Sequence, residues 1–82
     1  METINANELI GVADLGCATA IACYFPVEYL DRQNPNRVQF CFKRDKSIER
    51  ITEQFWKGTL MINAVAYYNA FKLLKARLRN EK

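Results

Sequence analysis

The chain has 82 residues, half of them hydrophobic and about a quarter charged, which is the composition of one small folded domain rather than a disordered segment. It contains no histidine, which excludes Ser-His-Asp and Cys-His catalysis, imidazole-based zinc sites and a histidine general base. The net charge of +3 hides a split: residues 1–31 carry five acids and no Lys or Arg, whereas residues 32–82 carry all twelve bases and four acids. The first part is therefore −5 and the second +8. Such an asymmetry points to an anionic partner, unless the acidic part folds back on the basic one.

In chain order, residues 1–7 are polar and expected to be loosely ordered. Leu9, Ile10 and Val12 suit a short strand, while Asn5 with Glu8 has the spacing of a capping box, so residues 6–12 read as strand or helix. Asp14 is a natural cap for a helix over Leu15–Cys23. Its small residues Gly16, Ala18, Ala20 and Ala22 allow close packing against a sheet or another helix. Pro26 stops that helix. Val27–Leu30 is a strand candidate, and Asp31-Arg32-Gln33-Asn34-Pro35-Asn36 is turn chemistry. Val38, Phe40 and Phe42 alternate with Gln39, Cys41 and Lys43, the period of a half-buried strand, and the two strands are expected to form an antiparallel hairpin.

Asp45 or Ser47 caps the next helix, whose Ile48, Ile51, Phe55 and Trp56 give it one apolar face. Glu53 and Lys57 form a favourable i,i+4 pair, and Gly58 is suited to end the helix. Thr59–Ile62 is an extended connector. Asn63 caps a final helix over Ala64–Asn80, roughly 25 Å long at 1.5 Å per residue. Its apolar side is expected to hold Ala64, Tyr67, Phe71, Leu74 and Leu78. The whole reads as a single small α+β domain over residues 1–82, with an N-terminal strand or helix, an antiparallel hairpin and two C-terminal helices packed on the sheet.

Along the last helix Tyr68, Lys72, Lys75, Arg79 and Lys82 fall in one narrow sector beside the apolar stripe. Cations neutralise phosphates and an exposed tyrosine stacks on bases, so this line is a candidate nucleic-acid surface, which Arg44 and Lys46 extend if they lie close by. Against this stands a plain alternative: basic residues in the last turns complement the helix dipole and solvate an outer face. The connector after Gly58 is too extended for a helix-turn-helix. Tyr24, Phe25, Tyr29 and Trp56 are candidate anchors for a protein partner or a second copy.

No catalytic, cofactor or metal set emerges, and an enzyme is not expected. Glu49 and Glu53, the one pair of carboxylates on a helical face, sit among Arg50 and Lys57, as on a solvated surface. Three glycines make no phosphate loop. Cys17, Cys23 and Cys41 have no CxxC spacing and read as small buried hydrophobes of a reducing compartment. Cys41, next to Lys43 and Arg44 and on the strand face away from Phe40 and Phe42, is the one thiol whose surroundings suggest reactivity. The apolar run from Gly16 to Phe25 is too short to cross a bilayer and lacks the basic start of a signal peptide, so a soluble cytoplasmic protein is expected.

Residues 55–64, Phe-Trp-Lys-Gly-Thr-Leu-Met-Ile-Asn-Ala, are followed by Tyr68-Asn69-Ala70 and by Leu74-Lys75-Ala76-Arg77-Leu78. Together with Asp14-Leu15 and Arg37-Val38-x-Phe40-x-Phe42, this pattern resembles a small uncharacterised domain family of bacteria and their phages, a domain of unknown function. The resemblance covers most of residues 12–79. It implies a strand–helix–hairpin–two-helix α+β domain, often in a phage or mobile-element setting and hence in a bacterial or infected host cell. It brings no catalytic residues. Three roles stay open: a non-catalytic nucleic-acid-binding module, a protein-binding or self-assembling module such as an inhibitor or complex subunit, and a multimer holding a small anionic ligand such as a nucleotide.

Overall fold

The computed structural model describes residues 8–80. Three strands and three helices follow in the order β1 (Leu9–Val12), α1 (Leu15–Ala22), β2 (Tyr29–Asp31), β3 (Gln39–Lys43), α2 (Lys46–Lys57) and α3 (Ala64–Asn80). This is the expected α+β arrangement, and residues 9–12 take the strand alternative. Asn5 of the capping-box reading lies outside the described residues.

The sheet has the order β1-β3-β2, with β3 antiparallel to both neighbours. β3 is central because it has the clearest alternation: Phe40 and Phe42 point together into the core and are fully buried. Their partners across the ladder are Val12 and Leu30 for Phe40, and Ile10 for Phe42. The hairpin loop is held by short-range bonds of the kind Asp and Asn favour. Gln33 N–H donates to Asp31 Oδ1 at 3.0 Å, Asn36 N–H to Asn34 Oδ1 at 3.0 Å, and Arg37 N–H to the Asn34 carbonyl at 2.9 Å.

β2 begins two residues later than the Val27–Leu30 expectation. The Glu28 N–H still reaches the Cys41 carbonyl at 2.7 Å, but the Val27 carbonyl faces Arg77 Nη1 at 3.4 Å instead of the ladder. A tertiary partner, absent from the local sequence, sets that boundary.

α1 is buried along five consecutive residues, Cys17 to Ile21, so every face of it is covered. Only small or apolar side chains suit such a position. The one polar member, Thr19, donates its hydroxyl to the Leu15 carbonyl at 2.7 Å. α1 packs against both α2 and α3. They converge at Gly16, where a Cβ would lie 3.2 Å from Phe55 Cζ and 3.5 Å from Tyr67 Oη. The Tyr67 hydroxyl donates to the Gly16 carbonyl at 3.1 Å. One cluster unites Phe40 and Phe42 with Cys17, Ile21, Ile48, Ile51 and Leu74.

The expected caps are in place. Asp14 Oδ1 accepts from Cys17 N–H at 2.8 Å, Asp45 Oδ1 from Ser47 N–H at 2.8 Å, and Asn63 Oδ1 from Ala66 N–H at 2.9 Å. Gly58 closes α2 at φ 74°, a left-handed value that glycine adopts without steric cost. α1 ends before Pro26 is reached, as Tyr24 and Phe25 N–H fold back onto the Ile21 carbonyl.

Two core expectations are corrected. Trp56 is 63% exposed and meets Phe55 edge-on, with centroids 5.0 Å apart. Ile48, Ile51 and Phe55 already fill the inward sector of α2, and Trp56 stands one residue's turn to its side. Ala64 is exposed, because at 100° per residue it stands at the edge of the Tyr67, Leu74 and Leu78 sector, toward the basic line.

Candidate nucleic-acid interface

α3 is anchored along one side. Leu74 is buried there, and Tyr67, Phe71 and Leu78 are half-buried beside it. Its C-terminal end is tied to the hairpin by two arginines. Arg32 Nη2 donates to the Leu78 carbonyl at 2.8 Å and the Arg77 carbonyl at 3.2 Å, while Arg77 turns inward to Val27. The Arg32 bonds satisfy carbonyls that a helix end leaves without partners, and the guanidinium suits the negative end of the dipole.

The basic line runs beside this anchored stripe, on the adjacent side of α3. Tyr68, Lys72, Lys75 and Arg79 are all exposed. Their spacing places them within a sector of about 60° at 100° per residue. Lys72 Nζ stands 4.7 Å from the centroid of the Tyr68 ring, and Lys75 Nζ stands 5.4 Å from that of Phe71. Each contact joins residues one helical turn apart and fixes where an ammonium sits, at about 0.5–1 kcal/mol for an exposed site. α3 contains no Asp or Glu. Among the described residues no carboxylate pairs with Lys72, Lys75 or Arg79, whereas Lys57 pairs with Glu53 on α2 at 2.6 Å. The Lys57 hydrogen bond and charge hold Glu53 below the usual carboxylate range. This pair is solvated, as expected of that helical face.

Arg44 and Lys46 stand on other elements. Arg44 follows β3, with its N–H on the Glu8 carbonyl and Nη2 on the Leu9 carbonyl at 3.2 Å, so its side chain lies along the β1 edge. Lys46 opens α2. Lys82 lies outside the described residues.

The four aromatic candidates do not form one patch. Tyr24 and Phe25 line a groove of about 480 Å³ with Ile51, Leu60 and Met61. Trp56 borders a different depression, with Leu15, Val38 and Leu78. Tyr29 stands on the sheet opposite Cys41 in the ladder. Phe25 is half-buried against the core, while Tyr24, Tyr29 and Trp56 are exposed.

Three exposed apolar side chains escaped sequence reasoning: Met61 at 88%, Val65 at 68% and Leu73 at 67%. Val65 and Leu73 lie outside the sector of Tyr67, Leu74 and Leu78 on a helical wheel, a signal present in the sequence. Met61 sits in the connector, where no periodicity marks its direction.

Cys41 differs from its reactive reading. It does lie on the sheet face away from Phe40 and Phe42, but it is only 4% exposed, and burial pushes its thiol above the usual range. The basic residues beside it in sequence do not offset that desolvation. Burial also raises Cys17 and Cys23. All three cysteines are free thiols. Among the described residues no group of His, Cys, Asp and Glu is placed to hold a metal ion, and no helix is long and apolar enough to cross a membrane.

The family model described as "Domain of unknown function (DUF5659)" matches residues 7–80. The chain belongs to this family. The match spans every strand and helix, from β1 to α3, including the whole basic line up to Arg79. No match is found among curated proteins or among solved structures. The family description names no activity, so the site rests on the geometry of α3 alone.

Proposed function

We propose that this domain is a non-catalytic binding module that contacts nucleic acid through the exposed side of α3. The observation that carries the reading is the line Tyr68, Lys72, Lys75 and Arg79: exposed, on a helix with no acidic residue, and with no carboxylate partner among the described residues. Cations that are not neutralised within the fold are available to phosphates, and their counterions are released on binding. Ring contacts hold two of the ammonium groups in place, which lowers the cost of ordering them. The absence of histidine argues for binding rather than catalysis. The resemblance to a bacterial and phage domain family supports an accessory role in a phage or mobile element, and three free thiols suit a cytoplasmic setting.

The test is fluorescence anisotropy with labelled nucleic acid, comparing the wild type with the triple variant Lys72→Gln/Lys75→Gln/Arg79→Gln. The reading expects micromolar binding by the wild type at low salt and none by the variant. Equal binding by both proteins, or by neither, refutes it.

A second reading, docking of a protein partner, draws on the Tyr24–Phe25–Ile51–Leu60–Met61 groove and on the exposure of Met61. Met61→Ser breaks such a complex and leaves nucleic-acid binding intact. Light scattering on the isolated chain separates a second copy from a different partner.

A further inference from the structure

We infer that the ligand of α3 is a single strand of nucleic acid, with a base stacked on Tyr68 and the neighbouring phosphates on Lys72, Lys75 and Arg79. The inference rests on the nucleic-acid reading and narrows it to an unpaired strand.

The first argument is one-sidedness. A helix about 10–12 Å across fills a major groove about 12 Å wide, with a line of phosphates on each side of it. A helix suited to that position carries cations on both flanks. In α3 the exposed cations occupy one sector of about 60°. The other exposed flank holds Asn69, Leu73 and Asn80, all uncharged. Arg77, which points away from the line, is engaged with the Val27 carbonyl. The charge layout therefore follows one backbone rather than two.

The second argument is the tyrosine. Tyr68 lies in line with the cations and is 60% exposed. Lys72 Nζ, 4.7 Å from the ring centroid, occupies one face of the ring and steadies it. In a duplex the faces of the bases are covered by their neighbours, whereas an unpaired strand offers them to an aromatic ring. Val65 beside the line, about two-thirds exposed, adds apolar surface that suits bases and not phosphates.

The test measures anisotropy of a labelled oligothymidine and of a labelled duplex of equal length at low salt. The proteins are the wild type, Tyr68→Ala, Tyr68→Phe and the triple variant at Lys72, Lys75 and Arg79, with circular dichroism verifying each fold. The wild type is expected to bind the single strand more tightly than the duplex. Tyr68→Ala is expected to weaken single-strand binding by about 5- to 150-fold, one stacked base's share, while Tyr68→Phe retains it. Duplex binding as tight as single-strand binding, with Tyr68→Ala neutral and the triple variant defective, overturns the single-strand inference and leaves the nucleic-acid reading standing. Binding of neither ligand overturns both.

Discussion

Replacing Arg32 by Met tests how α3 is held in place. Arg32 Nη2 donates to two carbonyls of the last turn, Leu78 at 2.8 Å and Arg77 at 3.2 Å. A hydrogen bond with a charged partner contributes about 1.5–3 kcal/mol, and a cation at a helix C-terminus about 0.3–1 kcal/mol. Both carbonyls share one nitrogen, so a single bond is counted and the loss is about 2–4 kcal/mol. Met keeps the apolar stem and removes the donors, leaving the carbonyls unpaired. In a domain of this size each kcal/mol moves the midpoint by roughly 4–8 °C, so thermal melting by circular dichroism is expected to shift down by roughly 8–30 °C. Amide exchange is expected to accelerate first in the final turn of α3. Arg32→Lys recovers only the dipole part, about 0.3–1 kcal/mol, because the shorter side chain keeps the charge but ends short of the position from which Nη2 bridges the two carbonyls. If Arg32→Met melts with the wild type and the final turn keeps its protection, the hairpin does not hold α3 and this part of the account is wrong.

Gly58→Ala is expected to cost about 1–2 kcal/mol in urea unfolding: φ is 74° and a Cβ there meets nothing within 4 Å, so the cost is backbone strain alone. A neutral result contradicts the left-handed cap. Ile48→Ala is expected to cost about 2–5 kcal/mol, because Ile48 is fully buried among Phe42, Ile51 and α1; a loss below about 1 kcal/mol in the same assay places Ile48 outside the core. Stability is expected to be level near neutral pH and to fall from about pH 8.5 upward. Cys17, Cys23 and Cys41 are raised by burial, so their contribution is complete below the unfolded thiol pKa and is lost as pH rises through the folded values. Tyr67, also raised by burial, extends the decline into the tyrosine range. Urea midpoints that rise across this window contradict the sign.

Features fixed by a few neighbouring residues were legible in the sequence. Asp14, Asp45 and Asn63 cap helices through bonds to amides two or three residues ahead, and Gly58 ends α2 by its own backbone freedom. The alternation around Phe40 and Phe42 marked the central strand, and the wheel positions of Lys72, Lys75 and Arg79 marked one exposed line. What depended on distant partners was not legible. The start of β2 is set in part by Arg77, fifty residues away from Val27. The Arg32 tie to α3 spans a similar separation. Trp56 has the composition of a core residue, but the space that α1 leaves for α2 is already filled by Ile48, Ile51 and Phe55. Alternation placed Cys41 on the correct face but gave no measure of its burial, since a neighbour on that face, Tyr29, comes from another strand. The Val27 carbonyl explains why α3 keeps Arg77 for the fold while it shows Lys72, Lys75 and Arg79 to solvent.

The most direct test of the central claim is the salt dependence of binding to a labelled single strand. Three phosphate contacts, from Lys72, Lys75 and Arg79, give a slope of log K against log salt of about −2. Between about 50 and 200 mM salt the wild type is then expected to lose roughly 20-fold in affinity, and the triple Gln variant is expected to show no measurable binding at either concentration. A wild-type affinity that does not change with salt, or a triple variant that follows the wild type, contradicts a nucleic-acid surface on α3.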